Sequence, residues 1–111
     1  MVDLSILKKL FETDEMVFQF LNMMVVEIPK SISEFENYIL EKDFVNAAVC
    51  VHTLKSHFGY IGNDELSVLA QRIEIMCEQT PDQSLGEITV LMTNLKDECE
   101  MLVSELEKIT S

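Results

Sequence analysis

Basic residues are scarce in this sequence: 8 lysines and arginines stand against 20 acidic residues, a formal net charge of -12 over 111 residues. Affinity for nucleic acid or anionic lipid comes largely from Lys and Arg beside phosphates, so either surface would repel the chain. Long apolar runs are missing too. The longest apolar stretch, Met16 to Val26, contains Gln19 and Asn22 and falls short of the roughly 20 residues that a bilayer span requires. Met1-Val2-Asp3 has no basic segment of the kind that opens a secretory signal. The cysteines, Cys50, Cys77 and Cys99, are odd in number, lack Cys-x-x-Cys spacing and fall at apolar-periodic positions, which predicts buried free thiols in a reducing, cytoplasmic setting. There is no nucleotide-binding loop and no acidic cluster for Mg²⁺, and the length is too small for a kinase or ATPase with its own nucleotide fold.

What the chain does have is helical periodicity. Its apolar content of 48% is too high for an acidic disordered tail, so the excess charge is expected on the solvated faces of one folded domain, residues 1–111. Asp3 can cap a short helix whose Leu4, Leu7, Leu10 and Phe11 share a face, a lid on the bundle that the longer helices would form. From Asp14 to about Glu41, Phe18, Leu21, Val25, Ile28, Ile32, Phe35 and Ile39 step by three and four, and this unbroken phase favours a kink over a break at Pro29. Leu66, Leu69, Ala70, Ile73, Met76 and Cys77 form the stripe of another helix, ending before Thr80-Pro81. The last begins either there or a turn later at Ser84 and carries Ile88, Leu91, Leu95, Cys99, Leu102, Leu106 and Ile109. No strand pattern and no internal repeat is present. The expected fold is all-α, an antiparallel up-down four-helix bundle with a short additional N-terminal helix.

Between these elements, Ala47 to Gly62 is a helical run carrying both histidines, with Asp43 as its natural N-cap and Gly62 as its stop. At about 100° per residue, His52, Lys55, Ser56 and Gly59 fall within about 60° of one direction, while Ala47, Cys50, Val51, Leu54, Phe58 and Ile61 point the opposite way. One face is core and the other presents a histidine to solvent. An exposed imidazole is substantially neutral near neutral pH, so a ring nitrogen can attack phosphorus without a separate base. Lys55, one turn on, would set an ammonium beside any anionic group carried on that ring.

The spacing His52, Leu54, Lys55, Gly59, Ile61, Gly62 resembles the signature of the histidine-containing phosphotransfer (HPt) domain of two-component phosphorelays. It departs from the family pattern at Ser56, where glycine is usual, and at His57 and Phe58, where small residues are common. The resemblance extends to the organisation of nearly the whole chain. It implies that His52 receives a phosphoryl group from the aspartyl phosphate of a response-regulator receiver domain and passes it to another, with Mg²⁺ held by the receiver. A hybrid sensor histidine kinase is a further implied partner. By the same analogy Glu74, on the following helix, approaches the histidine and orients its ring.

The surroundings of His52 admit two readings each. Val45, Ala48 and Val49 lie on its side of the helix and form either an apolar docking apron or a surface buried against the next helix. Gly59 costs about 1 kcal/mol relative to alanine inside a helix, which room for a partner, helix packing or fraying would explain. Ser56 either bonds the phosphoryl group or crowds a partner. His57, turned about 140° from His52, is expected at the core edge with its ring hydrogen-bonded. Histidines at i and i+5 do not converge on one ion, and neither histidine has a Glu-x-x-His partner, so no metal is expected. A phosphorylation-independent helical adaptor is the alternative function.

Overall fold

Two turns of the same design bound the helix that carries the histidines. A computed structural model describes residues 1–111, with helices α1 (Ser5–Leu10), α2 (Asp14–Leu40), α3 (Phe44–Tyr60), α4 (Asp64–Gln79) and α5 (Leu85–Thr110). At the end of α2, Lys42 N–H donates to the Ile39 carbonyl and Asp43 N–H to that of Tyr38; at the end of α3, Gly62 N–H donates to Gly59 and Asn63 N–H to Phe58. Each pair closes a Schellman motif around a residue of positive φ, Lys42 at 57° and Gly62 at 76°. The residue that closes each motif then caps the next helix: Asp43 accepts from Asn46 N–H at 3.2 Å and Asn63 from Leu66 N–H at 3.1 Å. Connections this short leave consecutive helices no choice but to pack antiparallel.

The four long helices form a ring in which α2 packs on α3 and α5, and α4 on α3 and α5. Cross-contacts run in opposite senses along the chain. Lys96 reaches Glu36 while Val103 shares a groove with Pro29; Ser67 bonds the Lys55 carbonyl while Glu74 meets His52. The core is wholly apolar, with Phe35, Phe58, Leu54, Leu21, Ile28, Ile73, Leu95 and Leu106 among the side chains with no measurable exposure.

α2 is one helix through Pro29, without the break that its apolar phase argues against. Several other local expectations shift. The buried stripe of α2 takes Val17 and Met24 in place of Phe18, which is exposed, and Val25, which is half-buried; these pairs lie about 100° apart on the helix, and the bundle centre lies on the Val17 side. In α1 only Leu7 is fully buried and Leu10 is exposed. Asp3 accepts from Ser5 N–H and Oγ rather than capping the helix from its first flanking position, which is Leu4. The N-terminal segment does cross one end of the bundle: Asp3 N–H donates to the Ile61 carbonyl and Val2 N–H to Glu105. A Cβ on Gly62 would sit 2.5 Å from the Asp3 carbonyl oxygen, so this crossing requires glycine as much as the turn does. Before α5, Ser84 and Thr80 bond each other's hydroxyls, the helix starts at the later site, and Ser84 makes no side-chain cap. Met24 and Met76 are core, whereas Met16, Met23 and Met101 are exposed. All three cysteines are buried and free, and burial pushes their thiols up to about 11, 11 and 12 in chain order, which keeps them inert.

Candidate functional site

The inner stripe of α4, Ala70, Ile73, Met76 and Cys77, is buried, and this phase leaves Glu74 at the margin facing α3. Its two oxygens are divided between two residues of that helix. Oε2 lies 2.7 Å from His52 Nδ1, and Oε1 accepts from Lys55 Nζ at 3.0 Å. Burial alone would push the Glu74 carboxyl up, but the hydrogen bonds and charges of Lys55 and His52 outweigh it and hold the group below the usual carboxylate range. An ionised carboxylate can only accept, so Nδ1 carries the proton, and a neutral ring presents its lone pair at Nε2. The His52 side chain is 57% exposed, against 25% for Lys55 and 13% for Glu74.

A cleft of about 570 Å³ runs between α3 and α4 from Phe44 and Pro81 up to His52 and Glu74. Val45 and Val49 line it and are 77% and 62% exposed. Of the two readings open for Ala48, burial against the next helix holds: it is 7% exposed and forms the cleft floor, because its position on α3 is turned further toward α4. The groove on the other flank of α3 differs in character, being lined by Glu27, Lys30, Ser31, Glu34 and Tyr38 from α2.

Ser56 Oγ donates to the His52 carbonyl at 3.3 Å, so its hydroxyl is engaged by its own helix. A Cβ at Gly59 would meet nothing within 4 Å, and α3 continues to Tyr60. Neither packing nor fraying therefore explains that glycine. His57 differs from expectation. It is half-buried against α2, but its Nδ1 is buried without a hydrogen-bond partner. Burial lowers its pKa, an effect that the charge of Glu27 offsets only in part. No group of three or more His, Cys, Asp or Glu side chains is arranged to hold a metal ion, and no helix is long and apolar enough to cross a membrane.

The family model of the Hpt domain matches residues 19–109, a span that contains α3, α4 and every residue of this site. The chain belongs to the Hpt domain family. Hpt domains are phosphotransfer carriers rather than kinases; membership implies a histidine phosphotransfer role in phosphorelays and interaction with response-regulator receiver domains. Searches of curated proteins and of solved structures returned no match. Within this Hpt fold, periodicity pointed to His52, Lys55 and Gly59 as one face, but it gave no sign that Lys55 and His52 share a single carboxylate. The i, i+3 spacing was the available signal, since it places both side chains on the flank that an antiparallel α4 must approach.

Proposed function

We propose that His52 is the phosphoryl carrier of this Hpt domain and that Nε2 is the atom that bonds phosphorus. The observation that carries this reading is an exposed ring whose other nitrogen is held by Glu74. In the forward step the Nε2 lone pair forms an N–P bond while the P–O bond of a receiver's aspartyl phosphate breaks, and the aspartate leaves as carboxylate. The ring gains a positive charge that Glu74 faces. In the return step a carboxylate oxygen of a second receiver attacks phosphorus, the N–P bond breaks, and the electron pair goes back to Nε2. Mg²⁺, in this reading, belongs to the receiver, where it screens the phosphoryl oxygens. The cytoplasm, as a reducing compartment, accords with three free thiols.

Incubation with a receiver carrying labelled phosphate, in the presence of Mg²⁺, tests this. The chain should acquire an acid-labile, alkali-stable label. A wild-type chain that binds the receiver yet stays unlabelled would instead make it an adaptor indifferent to phosphorylation.

A further inference from the structure

α2 carries a second periodic stripe, on the side turned away from the core. Stepping by three and four from Met16 through Met23, Val26 and Lys30 to Leu40, every position is exposed and none is acidic. The acids of this helix, Glu15, Glu27, Glu34 and Glu36 among them, all fall to either side. Met16, Met23, Val26 and Leu40 are 41%, 50%, 64% and 79% exposed. The stripe spans a helix of 27 residues, about 40 Å at 1.5 Å per residue, against a long axis of 45 Å for the whole molecule.

Charge narrows what can cover it. The exposed sides of α4 and α5 present Glu65, Glu78, Asp97 and Glu100, and the whole chain carries -12. A basic partner would be drawn to those sides, and a second copy would be repelled by them. α3 has no acid either, but its exposed side is the His52 face. Along α2, a second copy approaches without bringing acid against acid. The single charge of the stripe, Lys30, sets the direction. Parallel packing would place Lys30 on Lys30. Antiparallel packing centred at the level of Ile28 places Met16 opposite Leu40, Gln19 opposite Asn37 and Met23 opposite Ser33. Lys30 then lies opposite Val26, with Glu27 of the other copy beside it.

We propose that the outward stripe of α2 is a self-association surface on which two copies pack antiparallel about a two-fold axis. Methionines, Val26 and Leu40 supply the apolar contact, and Lys30 and Glu27 pair reciprocally across the axis. α2 and α4 stand at opposite corners of the ring of helices. The cleft between α3 and α4 therefore stays open in both copies, and the pair presents two free His52 sites.

Sedimentation equilibrium from about 10 μM to about 1 mM, the range of a weak dimer, should show monomer giving way to dimer. Raising NaCl from about 50 to about 500 mM should tighten the dimer roughly tenfold, because salt screens the repulsion between two acidic bodies and spares the apolar contact. Met23→Glu, an exposed substitution that leaves the fold intact, brings a carboxylate toward Glu34 of the other copy and should keep the chain monomeric, with His52 labelled as in wild type. Direction is read separately. The native thiols are buried, so a nitroxide on Leu40→Cys attaches there alone; mixed with a methyl-labelled wild-type copy, it should broaden Met16 of that copy more than Met23 or Met101. A chain still monomeric at the top of the concentration range in high salt overturns the proposal. So does a dimer that loosens with salt, one that Met23→Glu leaves intact, or broadening strongest at Met23 or Met101.

Discussion

His52 and His57 lie on one helix, little more than a turn apart, and meet opposite fates. The rotation between them, about 140°, takes one ring to the flank where α4 offers a carboxylate and solvent reaches the far nitrogen. It takes the other to the flank where α2 covers the ring and leaves Nδ1 without a partner. α3 contributes no acidic residue of its own, although the chain has 20, so what distinguishes the two imidazoles arrives from neighbouring helices. The surroundings of each histidine are decided by which helix stands opposite. The largest expected effect tests that directly. His52→Gln should reduce the acid-labile label to background, while His57→Gln should be labelled like wild type. A His52→Gln chain that still carried the label would transfer the role to His57 and break the comparison.

The next effect sharpens the meaning of the exposed face. Gly59 continues that face two turns beyond His52, and space for a side chain is open there. Gly59→Leu should fold with stability within about 1 kcal/mol of wild type, helped by the better helix propensity of leucine. Transfer from a phosphorylated receiver should nevertheless fall about a hundredfold, the scale of a small misplacement of reacting groups, while acceptance from acetyl phosphate changes much less. An unfolded Gly59→Leu protein, or one with unaltered transfer from the receiver, would show that this face is not where the partner sits.

How far the sequence carried this depended on the range of the signal. Helix phase is local, so the buried side of α3, the placement of His52 and the Asp43 cap could all be read in advance. Gly62 announced its turn, because a left-handed residue at a helix end is usually glycine. Lys42 occupies the equivalent place after α2 and announced nothing, since positive φ is uncommon for a residue with a side chain and is imposed here by the loop. Ala48 and Val49 are neighbours on one helix, yet one is cleft floor and the other exposed wall. That division depends on where α4 lies, as does the Lys55–Glu74 contact. The unpartnered Nδ1 of His57 was illegible for the same reason: burial could be read from phase, but a hydrogen-bond partner has to come from another element.

The smallest expected effect concerns that ring. A buried acceptor or donor with no partner costs about 1 to 3 kcal/mol relative to an apolar group of similar shape, and leucine is also the better helix former. His57→Leu should therefore raise stability at pH 7.5 by about 1 kcal/mol, measured by urea denaturation. The pH dependence gives a second handle. Burial lowers the folded-state pKa of His57 below its ordinary 6.5, with Glu27 offsetting part of the shift, so the folded chain binds this proton less tightly than the unfolded chain does. Stability carried by the neutral ring is complete above pH 6.5 and is lost as pH falls from there toward the folded value. The leucine variant lacks that loss, and its advantage over wild type should widen steadily below pH 6.5. An advantage that stays constant with pH, or a variant less stable than wild type, would mean that the ring is satisfied in solution, and the contrast between the two histidines would then be one of exposure alone.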